Sequence, residues 1–144
     1  MNWKAEATEK LRRYASMCQA VQNIPQEISR LELAACSLRS PAIDKPAVKS
    51  TTSREDALLD NLVHRQELDR SLQQAQHWLD TTDRALSVLT PDEALVLQHL
   101  YIYPQKNGLD RLCEILEVET SSIYRRRDKA LRKFTLALYG AESS

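Results

Sequence analysis

An all-α protein is predicted by three features of this 144-residue chain. Glycine occurs only at Gly108 and Gly140, so few positions are set aside for tight turns. Alanine, leucine, glutamine, glutamate and arginine dominate, and these residues lose little side-chain freedom in a helix. Apolar residues also recur in steps of three and four over long runs, the period of one helix face. The expected architecture is a long, coiled-coil-like N-terminal helical hairpin over residues 1–89, followed by a helix-turn-helix domain over 90–140.

The first helix carries Ala7, Leu11, Tyr14, Cys18 and Val21 in alternating steps, continued by Ile24, Ile28, Leu31, Ala35 and Leu38. The step from Val21 to Ile24 shifts the seam, and Pro25 lies there. Proline removes one backbone donor and crowds the preceding turn, so one bent helix or two helices in line are expected, with Asn23 as a cap. Residues 39–54 hold Pro41, Pro46 and the hydroxyl run Ser50-Thr51-Thr52-Ser53, which reads as a loop. Ser53 caps the next helix in this reading, and Glu55 and Asp56 favour its positive dipole end. That helix runs from about Arg54 to Leu89. Leu58 and Leu62 lead into a seam of Leu68, Leu72, Ala75, Leu79, Thr82, Leu86 and Leu89. A heptad seam of that length seeks a partner helix. The first helix supplies one, antiparallel and of opposite charge. A homodimer through this hairpin is a further expectation.

Thr90-Pro91-Asp92-Glu93 is a helix start, with a hydroxyl cap, proline at the first helical position and then acids. Leu95, Val96, Leu97 and Leu100 make a mostly buried helix that ends near Pro104. Asn107 caps a short helix, Leu109 to Glu117, whose inner face is Leu112, Cys113 and Leu116. Val118 is an apolar turn residue. Thr120-Ser121-Ser122 offers N-cap chemistry for the last helix. Ile123, Ala130, Leu131, Phe134 and Leu138 form its apolar stripe, and Gly140 suits its end. From Ile123 to Phe134 six basic residues stand against one acid, Asp128. A cationic helix held by one stripe and entered through a capped turn is the layout of a helix-turn-helix DNA reader.

The stretch from Leu89 to Phe134 resembles the C-terminal promoter-reading domain of bacterial sigma factors, their region four. The resemblance rests on Leu89, Pro91, Glu93, Val96, Leu97 and Tyr101, then Leu112, Cys113, Leu116 and Val118, then Ile123 and Lys129-Ala130-Leu131-Arg132-Lys133. With its long helical N-terminal part, the chain is similar to small phage-encoded transcriptional regulators of the ArpU/RinA type. Glu117 departs from the pattern, which carries glycine there, and an αL glutamate costs roughly 1 kcal/mol. Glu119 brings negative charge close to the expected DNA surface. Carried over from the pattern, Thr120, Ser121, Tyr124 and Arg125 face the base edges, with Ser122 beside them at the helix start. Arg125 is suited to fork onto guanine. Lys129, Arg132 and Lys133 serve phosphates or a polymerase surface. Arg126 falls on the inner edge, its stem packed and its head reaching a phosphate or an acid.

Formal net charge is zero, which argues against a protein that coats nucleic acid everywhere. Charge is segregated instead: residues 1–54 carry nine Lys/Arg against five Asp/Glu, and residues 55–89 carry three against seven. Cys18, Cys36 and Cys113 lack metal-type spacing, and an odd count on helix faces suits a reducing compartment. His64, His77 and His99 are scattered, so neither metal nor cofactor is expected. Trp3 and Trp78 read as anchors of the hairpin or of a dimer seam. No Gly-rich phosphate loop or activated nucleophile is present, so no enzymatic activity is expected. No run approaches the ~20 apolar residues of a membrane span, and the N-terminus does not read as a signal peptide. A cytoplasmic place in a bacterial host follows.

The expected function is sequence-specific binding of double-stranded DNA by a phage-encoded transcriptional regulator. The resemblance implies activation of late genes at promoters, with RNA polymerase as a second partner. One alternative is a coiled-coil interaction adaptor, or a sigma/anti-sigma-like module, without direct DNA binding. A second is a small DNA-packaging (terminase) subunit.

Overall fold

In a computed structural model, residues 2–39 and 51–141 are described. Among them are five α-helices and no strand, so the chain is all-α. They are α1 (Trp3–Arg39), α2 (Thr51–Leu86), α3 (Pro91–Leu97), α4 (Gly108–Leu116) and α5 (Thr120–Tyr139). A π-helical turn, Gln98–Ile102, follows α3 directly. No helix among the described residues is long and apolar enough to cross a membrane.

Several local expectations change. α1 runs through Pro25 without interruption. Pro25 is exposed, so the carbonyl that loses its partner can turn toward water. Asn23 therefore lies inside the helix. The start of α1 is capped by Asn2, whose Oδ1 accepts from the Ala5 N–H at 3.1 Å. Of the loop expected over 39–54, residues 40–50 lie outside the described residues; Arg39 closes α1, and 51–54 are already helical. Ser53 is thus inside α2 rather than its cap, and α2 ends at Leu86, three residues early.

The described chain divides into two compact units, one drawn from Met1–Cys18 and His77–Ser144, the other from Gln19–Gln76. In the first unit the front of α1 and the end of α2 share a core with the C-terminal helices. Ala7, Leu11, Ala85, Leu97, Ile102, Ala130, Leu131 and Phe134 are buried together, with Tyr14, Leu86, Leu89 and Tyr139 packed around them. Polar contacts close the rim of this core. The Tyr14 hydroxyl donates to Asp83 Oδ1 at 2.5 Å, and burial together with that acceptor holds its pKa well above the ordinary tyrosine range. The Trp3 and Tyr139 rings lie 4.7 Å apart.

In the second unit Leu31, Ala35 and Ala75 are buried. Here the face of α2 turned toward α1 differs from the expected one. Counting back from Leu68 in steps of three and four gives Arg65, Asn61 and Leu58, and all three are half-buried; Leu62 is 42% exposed. Asn61 Nδ2 donates to the Leu31 carbonyl at 2.8 Å, and Arg65 Nε donates to Asn61 Oδ1 at 2.8 Å. Two polar residues thus occupy the seam, the Asn61 amide answered at both its nitrogen and its oxygen, and the leucine that hydropathy favours is left outside.

Candidate nucleic-acid interface

α5 is positioned by α3, α4 and the turn between them. Thr90 and Glu93 form a capping box at the start of α3: Thr90 Oγ1 accepts from the Glu93 N–H at 3.3 Å, and Glu93 Oε1 accepts from the Thr90 N–H at 3.1 Å. This reciprocal pair satisfies two end donors of a seven-residue helix that could not hold itself. Gly108 begins α4 close against the π turn; a Cβ there would lie 2.9 Å from the His99 carbonyl oxygen, so only glycine permits the approach. Asn107 is the residue before α4, but its side chain makes no capping bond.

The exit from α4 sets where α5 begins. Glu117 takes the left-handed conformation, φ 54° and ψ 46°, as the missing glycine implied. The Glu117 N–H donates to Cys113 O, and the Val118 N–H bonds the same carbonyl at 3.2 Å. That closure satisfies the end of α4 and tucks Val118 against Val96, Leu112 and Ile123. The cap of α5 then falls on Glu119, without a side-chain bond, so Thr120, Ser121 and Ser122 form the first helical turn rather than the cap.

Along α5, Ile123, Ala130, Leu131, Phe134 and Thr135 are buried. With these inward, Ser121, Arg125 and Arg132 fall on the opposite face, with Lys129 beside them. Thr120, Ser121, Tyr124, Arg125, Lys129 and Arg132 are exposed, and Ser122 is half-buried. Arg126 is half-buried and its Nη1 lies 3.5 Å from Asp92 Oδ2, so its head meets an acid. Lys133 turns inward: its Nζ donates to Glu93 Oε1 at 2.8 Å. Arg126 and Lys133 therefore tie α5 to the first turn of α3, apart from the outward group.

Glu93 is 6% exposed, and its Oε2 is buried without a partner. Burial pushes its carboxyl pKa up. The Lys133 ammonium and the Thr90 donors outweigh that, and the net shift is below the ordinary glutamate value.

Asp128 is the one acid among the six cations, and one of the six together with Lys4 answers it. Arg127 donates to it through Nε at 3.1 Å and Nη2 at 3.0 Å, and Lys4 at the front of α1 lies 3.8 Å away. The Arg127 guanidinium also sits 4.9 Å from the centre of the Tyr124 ring. Arg127 thus braces an outward-facing ring while it masks the acid. Sequence reasoning placed neither Lys4 nor Arg127 at this surface. The Arg127–Tyr124 spacing of three was a readable signal; Lys4 had none.

Among the described residues, no three His, Cys, Asp or Glu side chains are grouped as a metal ion would require. No protein-family model matches the chain, and neither a curated protein nor a solved structure matches it significantly.

Proposed function

We propose that the chain is a non-enzymatic, sequence-specific DNA-binding regulator of transcription, phage-encoded and acting at promoters, with late-gene activation as the sigma-like resemblance implies. In this reading α4 and α5 form a helix-turn-helix, and the front of α5 enters the major groove of double-stranded DNA. The observation that carries it is the exposed group on α5: Ser121, Arg125, Lys129 and Arg132 face away from the buried stripe, and Thr120 and Tyr124 are exposed on its first turns. Hydroxyls and an arginine at the front of such a helix suit base edges and flanking phosphates, and the cations behind them suit the backbone. α1 and α2 form the helical hairpin of the proposal. The Tyr14–Asp83 bond in the first unit and the Asn61–Leu31 bond in the second each support pairing of these two helices. RNA polymerase is the proposed second partner.

Binding-site selection from random duplex DNA, run at two salt concentrations, tests this. An enriched motif is expected, with affinity falling by roughly one log unit per tenfold salt for each phosphate neutralised. An unenriched pool refutes it and favours the adaptor reading. One observation supports that second reading: Asp110, Glu114, Glu117 and Glu119 are all exposed along α4 and the entry to α5, and they would repel phosphate.

A further inference from the structure

The second unit places two polar residues, Asn61 and Arg65, on the inner side of α2 and leaves three large aliphatic side chains outside. Leu59, Leu62 and Val63 are 58%, 42% and 43% exposed. At about 100° per residue, with Asn61 pointing inward, Leu59, Gln66 and Arg70 fall on the far side of α2, and Leu62 and Val63 flank them. Thr52, Glu55, Leu59, Leu62, Gln66 and Gln73 continue that outer stripe in steps of three and four, apart from one longer step. The outer side of α2 is therefore polar along most of its length, with Leu59, Leu62 and Val63 as its apolar centre. A scattered exposed leucine needs no explanation, but three within five residues on one helix face form a patch.

We propose that this outer face of α2 is the docking surface for a second copy of the chain. The two α2 helices run antiparallel about a two-fold axis through the Leu62–Val63 pair. The charges argue for a second copy over an unrelated partner. Glu55 lies seven residues before Leu62, and Arg70 lies seven residues after Val63. In a two-fold, isologous contact, residue i meets j while j meets i. Antiparallel docking centred on that pair sets Arg70 of each copy against Glu55 and Asp56 of the other. It also brings Leu62 to Leu62, Val63 to Val63, and Leu59 onto the stem of Gln66. Asp69 lies at the edge of the same face near Glu55 of the second copy, a repulsion that Arg70 offsets. Parallel docking would set Arg70 against Arg70 and Glu55 against Glu55. The Asn61 side chain, bonded to the Leu31 carbonyl, fixes which side of α2 turns inward. It thereby keeps the aliphatic face outward. This inference stands apart from DNA reading, since every residue it uses lies in the second unit.

Sedimentation equilibrium of the full chain across the micromolar range tests it. The wild type is expected to be a dimer. Leu59→Glu and Val63→Glu should each weaken self-association by about a hundredfold or more, because each sets unpaired charge into the contact. Helical content by circular dichroism should be unchanged, as both side chains already face water. Arg70→Glu should weaken the dimer, and adding Glu55→Arg should restore it. In a Cys36→Ser background, Val63→Cys should oxidise to a disulfide-linked dimer, and Leu33→Cys, on the outer face of α1, should not. A wild type that stays monomeric overturns the proposal, as do unchanged masses for the glutamate variants or cross-linking at position 33 in place of 63.

Discussion

Replacing Lys133 with methionine keeps the apolar stem and removes the charge that holds Glu93. Glu93 is then left as a carboxylate whose side chain is 7% exposed, with one oxygen already without a partner and the other bonded only by the Thr90 N–H. Breaking a fully buried ion pair from one side costs about 3–5 kcal/mol. Lys133 is 38% exposed, so water reaches that side of the pair and the cost falls. A loss of about 2 kcal/mol is expected, or a fall in Tm of roughly 6–8 °C for a chain of this size. Glu93→Gln should cost less, about 1 kcal/mol, because its carbonyl still accepts from Thr90 and the freed ammonium can hydrate. The double variant should lose less than the two singles together. Urea unfolding followed by Trp3 and Trp78 fluorescence reads all three. The pH dependence has a definite sign. The native Glu93 pKa is lowered from 4.5, so its contribution is complete above 4.5 and disappears as pH falls through the native value. The gap between wild type and Lys133→Met should therefore narrow in acid. A loss under about 0.5 kcal/mol, or a gap indifferent to pH, would refute the assignment of Lys133 to packing.

Other outcomes follow from α5 and its entry. Asp128→Asn should tighten duplex binding several-fold at low salt, with the gain fading as salt rises, because it removes the one anion on the outward face; fluorescence anisotropy titrations check this. Arg125→Ala should relax base preference by about 1–3 kcal/mol at one position, whereas Arg132→Ala should weaken all sequences alike. Competition titrations against random duplex separate the two, and equal losses on both DNAs for both variants would count against that division. Glu117→Gly should stabilise the protein by about 0.5–1 kcal/mol by removing the αL penalty, less the entropy the glycine adds to the unfolded chain. Chemical denaturation measures that gain.

What the sequence determined alone is short-range. The Thr90–Glu93 capping box lies within four consecutive residues, and both of its hydrogen bonds form between them. The stripe Ile123, Ala130, Leu131 and Phe134 was legible because helical period depends on one helix only, and all four are buried. The αL backbone at Glu117 was legible only through the sigma-like pattern, which carries glycine at that place. Tertiary structure decided what depends on partners distant in the chain. Thr120, Ser121 and Ser122 have similar capping chemistry, and it is the closure of α4 onto Cys113 that assigns the cap to Glu119. Lys133 looked like its basic neighbours until α3 brought Glu93 to it across forty residues. Lys4 meets Asp128 only because the front of α1 shares a core with α5. The inner face of α2 is the clearest case. Hydropathy alone favours Leu62 over Asn61, but a half-buried amide is tolerated where a carbonyl awaits it, and α1 supplies that carbonyl at Leu31.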